Sequence, residues 1–554
     1  MEEREDLKSI LPYLPVVLRS SSLFWPSQVV EILKSLSDGP ERSHVLSGEL
    51  LSVAISDLRL SLSLSSEPLS PFASQGYALF FDELISREES RKWFEEVLPA
   101  LANLLLRLPF LLELHYQNAD GFVNGGVEAK TGLRILNSQE AGVVLLSQEL
   151  ISALLGCSFF CLFPVAARGD KHLPTINFEY LFASLYRSYN QMQESKMKCI
   201  IHYFERICAN MPMGSVSFER KVLALEHHPL CISYPDAKFW SSSTIPLCQF
   251  EAHSSGLIED QSREALEVDF ANKYLGGGAL HRGCVQEEIR FMVNPELIAG
   301  MLFLPALADN ESIEVVGAER FSKYTGYASS FRFSGDYVDK REMDSLGRRK
   351  TRIIAIDALC SPGMRQYKMK CLVREINKAF CGFIDQSKYH QYERLFLEKG
   401  LTGSQHDQDG KEPDRTNKNS HLVNECNSTS METCGGEFAN RVTNNSQQSL
   451  VNEDSIGIAT GNWGCGAFGG DPELKTVIQW LAASQAFRPF VSYYTFGESA
   501  LRNVDLVTRW ILSHKWTVGD LWNMLAEYSS QRLNGETDLG FFPWLIPSQP
   551  SHDS

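Results

Sequence analysis

The sequence predicts an α/β layered domain preceded by a helical region, and three observations carry that prediction. From Leu7 to about Lys238 apolar residues recur at three- and four-residue spacing, with few strand signals. Beyond about Thr244 short β-rich segments alternate with helical ones, the pattern of a sheet layered with helices. The chain has 554 residues, of which 44% are hydrophobic, 22% charged and 11% aromatic, as in a folded protein.

In the helical region, Trp25, Val29, Ile32 and Leu33 share one face, as do Trp93, Val97, Leu101 and Leu104. Ser61 to Pro71 is rich in Ser and Pro and predicts a loop between helices. The apolar runs Val97–Leu114 and Leu150–Ala167 approach membrane-spanning length, but Pro99, Arg107 and Pro109 interrupt the first, and Glu149 and Arg168 bound the second. Both predict buried core helices, and no membrane association is expected. The first residues, MEEREDLKS, are acidic and polar, so neither a secretory nor a transit segment is expected, and the Asn427 sequon is expected to be unused.

In the layered region, strands are predicted at Leu266–Phe270, Ile313–Val316, Arg352–Ala358, Ile456–Thr460 and Phe490–Phe496. Asn294 before Pro295 and Asp471 before Pro472 are helix starts, each a capping residue followed by Pro at the first helical position. The boundary falls at residue 240, giving a helical region over 1–240 and the layered domain over 241–554. Within the latter, 402–454 is rich in Asn, Ser, Gln, Asp, Glu, Gly and Thr, and is expected to be a disordered insertion because it cannot bury enough apolar surface.

Charge narrows the function. Lys and Arg number 52 against 68 Asp and Glu, a net charge of −16, so general attraction to nucleic acid is absent and direct DNA binding is not expected. The 13 cysteines are scattered and form no paired CxxC knuckles, which argues against a disulfide framework or a zinc module. His227-His228 has no spaced partner, so no metal site is expected there. The basic residues Arg348, Arg349, Lys350 and Arg352 abut a strand and read as a domain surface feature more than as an import signal.

Two glycine-rich loops and a carboxylate pair carry the chemistry. The first loop follows the strand Leu266–Phe270, where Gly276, Gly277 and Gly278 allow close approach of a ligand to the main chain and could form an anion-binding concavity. Gln286-Glu287-Glu288 follows within an apolar run, so one of the two acids is a candidate for a raised pKa through burial beside a like charge; an exposed helix start is the alternative. The second loop, GNWGCGAFGGD, spans Gly461 to Asp471, and its Gly464, Gly466 and Gly469 satisfy GxGxxG between a strand and a helix. Glu498 lies 29 residues beyond Gly469, farther than a dinucleotide fold's usual acid, so two loops gripping one diphosphate explain the pattern better than NAD binding. Tyr324, Tyr327 and Phe496 lie near strand ends and could stack on a purine.

Together VDFAN, GGG, QEE, YTGY and GNWGCGAFGGD resemble the poly(ADP-ribose) glycohydrolase family, over about Ile245 to Leu525. The resemblance implies a macrodomain-like mixed sheet sandwiched by helices, with the helical region as an accessory element. It implies Glu288 as catalytic acid/base, Glu287 as the holder of ribose hydroxyls, and Asp269 and Asn272 as supports for the first loop and the ribose. It places Gly276, Gly277 and Gly278, together with Gly464, Cys465, Gly466, Ala467 and Phe468, around the diphosphate, and Asn462 among the substrate-binding residues. Glu259 and Gln286 are implied near the adenine or ribose, with Tyr327 and Phe496 enclosing the adenine. The expected substrate is poly(ADP-ribose) on modified proteins, with no cofactor and no metal, acting as a monomer in the nucleus, the cytoplasm or both. A non-catalytic ADP-ribose reader is the rival, and it would need the loops but not Glu287-Glu288. A nicotinamide-dependent oxidoreductase is a more distant one.

Overall fold

The computed structural model describes residues 1–120, 130–166, 168–226, 232–385 and 456–546, with short backbone segments at 123–124 and 127–128. The predicted insertion at 402–454, Asn427 and His227-His228 lie outside these residues.

Eight strands form one mixed sheet: β1 (Gly142–Ser147), β2 (Ser215–Val222), β3 (Gln249–His253), β4 (Ala265–Asp269), β5 (Glu311–Val316), β6 (Arg352–Ala355), β7 (Gly457–Gly461) and β8 (Phe490–Tyr494). Their spatial order is β1-β2-β5-β6-β4-β7-β8-β3. From β6 through β4, β7 and β8 to β3 neighbours are parallel, whereas β1, β2, β5 and β6 pair antiparallel. All five strands predicted in the layered region are present within a few residues of their expected ends.

Strand periodicity sends alternate side chains to opposite faces. On β6, Ile353 and Ala355 enter the core shared with the helical region, while Ile354, and Ile356 just past the strand, enter the core beneath the other face. That second core is closed by three helices, α3 (Met369–Phe383), α4 (Pro472–Gln485) and α5 (Val518–Asn534). The predicted start of α4 is realised, with Asp471 accepting from the amides of Glu473 and Leu474. Pro295 opens a 3-10 helix, Pro295–Leu302.

The region before residue 241 is mostly helical and buries Trp25, Val29, Leu33, Trp93, Val97, Leu101 and Leu104 as their spacing predicts. It is not wholly helical, because β1 and β2 leave it to extend the central sheet. The physical reason is that β2 is buried on both sides, so its sequence, SVSFERKV, lacks the alternation that marks a half-exposed strand. Two charges inside it, Arg220 and Lys221, are buried against Glu311 and Glu314 of β5. Among the described residues no single helix is long and apolar enough to cross a membrane; Arg87–Leu106 and Leu108–Asn118 meet at a 50° bend. The cluster at 348–352 is paired, Arg348 with Asp344, Arg349 with Glu319, Lys350 with Glu342 and Arg352 with Glu314.

Candidate active site

The parallel register aligns the carboxyl ends of four strands. Ala355 of β6 lies opposite Asp269 of β4, and Gly461 of β7 lies opposite Tyr494 of β8. The loops leaving those ends are the two glycine-rich loops and the segment carrying Phe496, so the sequence motifs converge on the crevice where open α/β sheets bind ligands.

The first loop is built around its acids. The short helix α2 (Gln286–Val293) places Glu287 and Glu288 in its first turn, both buried. Glu287 accepts from the amides of Gly276 at 2.7 Å and Asn272 at 2.8 Å. Glu288 accepts from Gly278 at 2.9 Å and, reaching back along its own helix, from Val285 at 2.8 Å. The third amide, Gly277, donates to the Tyr274 carbonyl at 3.0 Å. The expectation that these three amides face an anion is therefore corrected: those of Gly276 and Gly278 hold the carboxylates and that of Gly277 closes the turn on Tyr274, since buried acids take the nearest donors. Gly277 has φ +49°, and a Cβ there would lie 2.5 Å from one Glu287 oxygen and 2.8 Å from a Glu288 oxygen. Both acids thus converge on one glycine.

A third carboxylate completes the cluster. Asp269, at the end of β4, is 1% exposed, and neither of its side-chain oxygens has a hydrogen-bond partner among the described residues. Burial, reinforced by Glu288 and opposed by Arg290, pushes its carboxyl up to about 8. Burial, with Asp269 and Glu288 beside it, also holds Glu287 well above the usual range, against the two amide bonds that favour its anion.

Other expected residues take supporting places. Gln286 clamps the end of β4, its carbonyl oxygen accepting from Phe270 at 2.8 Å and its amide donating to Val268 at 3.1 Å. Both ends of that side chain thus serve the strand. Glu259 accepts from the Tyr324 hydroxyl at 2.5 Å and lies 3.9 Å from Arg290, which in turn pairs with Glu267 of β4 at 2.5 Å. Tyr327 and Phe496 are half-exposed, and Phe496 occupies the left-handed region at φ 50°.

The second loop is the one with open amides. Asn462 ties it to β8 through the Thr495 carbonyl at 2.9 Å and the Tyr493 hydroxyl at 3.1 Å. Cys465 donates its amide to Asn462, and burial pushes its thiol up. Gly464 has φ +74°, and a Cβ would meet that of Ala358 at 2.5 Å, so only glycine fits. The amides of Gly466, Ala467 and Phe468 meet no acceptor among the described residues, and Gly466 and Ala467 are exposed. This short run can receive an anion. Glu498 caps a following turn through the Ala500 amide at 3.2 Å. Among the described residues no group of three or more His, Cys, Asp or Glu side chains could hold a metal ion.

Sequence reasoning missed two buried lysines. Lys475 of α4 lies under the second loop, 4.0 Å from the Trp463 ring centre and paired with Glu375. Lys196 of α1 (Gln191–Ala209) reaches the first loop. It occupies the buried face that Gln193, Ile200 and Tyr203 also define, so a charged residue at an apolar helix position was the available signal.

Residues 237–503 match the family model described as "Poly (ADP-ribose) glycohydrolase (PARG), Macro domain fold", and residues 85–220 match the helical domain of the same family. The chain is 61% identical to Poly(ADP-ribose) glycohydrolase 1 of Arabidopsis thaliana, over 99% of this chain and 98% of that protein. It is 54% identical to Probable poly(ADP-ribose) glycohydrolase 2 of the same plant, over 99% of each. A further relative, Poly(ADP-ribose) glycohydrolase 1 of Caenorhabditis elegans, is 29% identical over 64% of this chain and 36% of its own length. With both its helical and its macrodomain parts matched, the chain belongs to the poly(ADP-ribose) glycohydrolase family.

Proposed function

We propose that this protein hydrolyses the ribose–ribose O-glycosidic bonds of poly(ADP-ribose) on modified proteins and releases ADP-ribose, with Glu288 as acid/base. The observation that carries the reading is the convergence of Glu287 and Glu288 on Gly277, beside a loop whose open amides suit a diphosphate. Protonated Glu288 gives its proton to the leaving ribose oxygen as the bond to the anomeric carbon breaks, leaving an oxocarbenium-like centre. The resulting carboxylate takes a proton from water as the water oxygen bonds to that carbon, which restores the acid. Each Glu287 oxygen receives one amide and keeps capacity to accept from a ribose hydroxyl. Gly466 to Phe468 hold the diphosphate, and Tyr327 and Phe496 flank the adenine.

Incubation with purified poly(ADP-ribose), followed by product analysis, tests this reading. Free ADP-ribose from the wild type, and release slowed by about 10²–10⁴ from Glu288→Gln, is expected. Binding of the polymer without release would instead make the protein a reader.

A further inference from the structure

The first glycine loop turns tightly around one residue. Gly278 presents its amide to Glu288, while its carbonyl accepts from the amides of His281 at 2.9 Å and Gly283 at 3.0 Å. Glu288 also packs against the far end of that turn, since a Cβ on Gly283 would stand 2.6 Å from its carboxylate. Any movement of the Gly278–Gly283 turn must therefore move the acid.

The turn is gripped from the helical region. The Lys196 ammonium, wholly buried, donates to the carbonyls of Gly283 at 2.6 Å, His281 at 2.8 Å and Gly278 at 3.5 Å. Its three N–H groups thus find three acceptors, replacing the water that burial removes. Gln193, one turn earlier on α1, donates to the same His281 carbonyl at 3.1 Å, and the Tyr180 ring stacks on the His281 ring at 4.8 Å. Burial holds the lysine down at about 8, with Cys284, Glu288 and Cys199 pulling the other way.

We propose that Lys196 is the positioning residue of the acid/base: it fixes the carbonyl side of the Gly278–Gly283 turn, so that the Gly278 amide holds Glu288 oriented for proton transfer. The inference rests on the Glu288 reading above. The helical region thereby contributes to turnover and not only to folding.

Turnover of poly(ADP-ribose) and calorimetric binding of ADP-ribose by the full chain test it. Lys196→Met should lower kcat at least about tenfold, with KM and ADP-ribose affinity within about threefold and one site per chain retained. Lys196→Gln keeps two donors and should fall less; if the Met variant does not fold, the Gln variant decides, a lowered kcat at unchanged affinity supporting the proposal and a wild-type kcat overturning it. Because Lys196 acts through Glu288, adding Lys196→Met to Glu288→Gln should cost less than about threefold more, whereas a full multiplicative loss would overturn the proposal. Wild-type kcat in a folded Lys196→Met protein would overturn it too, as would a kcat loss matched by lost binding sites. Near-normal turnover by Glu288→Gln would instead sink the acid/base reading itself.

Discussion

The amide of Gly278 stands 2.9 Å from a carboxylate oxygen of Glu288, so the glycine triplet is above all a mount for the acids. Glu288→Gln keeps an oxygen for that amide but turns an NH₂ toward the Val285 amide or the substrate. Loss of about 10²–10⁴ in kcat is expected from removing proton transfer, with ADP-ribose affinity within about tenfold. Steady-state release of ADP-ribose and calorimetric titration measure the two, and near-normal kcat contradicts the role.

The two glycine loops should respond differently to added bulk. Gly277→Val must displace both carboxylates and strain a left-handed backbone, so turnover and melting temperature should both fall. At Gly466 a Cβ meets nothing within 4 Å, so Gly466→Val should melt like the wild type yet lose ADP-ribose binding. Tight binding by a normally folded Gly466→Val would place the phosphates elsewhere.

If open amides and not a basic cluster receive the anion, affinity for ADP-ribose should fall only weakly with salt. Arg348→Ala and Arg349→Ala, whose side chains are engaged with Asp344 and Glu319, should leave that affinity within about twofold. Titration across a salt series checks both; a steep slope would require side-chain cations at the phosphates.

Asp269 sets a pH dependence of stability. Its folded pKa, about 8, lies above that of an unfolded aspartate, so the folded state binds the extra proton. The stabilisation is fully present below about pH 4 and is lost as pH rises toward 8. Asp269→Asn, neutral throughout, should flatten this slope and be more stable than wild type by roughly 1–4 kcal/mol at pH 8, before any loss of activity is considered. Denaturant unfolding at pH 5 and pH 8 measures it, and equal slopes in the two proteins would exclude a protonated Asp269.

Arg290 should matter for folding more than its surface-free position suggests. It is wedged between Glu267 and Glu259, and Arg290→Met leaves buried acids with less compensation, at a cost of about 3–5 kcal/mol. Urea unfolding tests this, and a loss below 1 kcal/mol would mean that Arg341, which also pairs with Glu267, suffices.

Much of this was readable from residue order. The apolar runs at β6, β7 and β8 mark strands because each must bury both faces, and Asp471-Pro472 starts α4 for reasons local to three residues. The carboxylate pair stood out because acids inside an apolar run need partners. What those partners were did not follow: Glu287 finds its amides 11 and 15 residues upstream, a pairing set by tertiary closure. β2 was hidden because a strand buried on both faces and carrying Glu219, Arg220 and Lys221 has neither alternation nor low charge. Lys196 was hidden because its acceptors are backbone carbonyls, which leave no trace in composition.

The pairing of β2 with β5 limits how the molecule can be divided. Six residues of β5, Glu311 to Val316, are matched one to one by Val222 to Ser217. A fragment starting at 241 would bare that ladder along Ile313, Val315 and Val316, a long apolar edge of the kind that recruits other chains, and would leave Glu311 without Arg220. Such a fragment should aggregate, and adding the N-terminal half as a separate polypeptide should restore solubility only if that half retains β2.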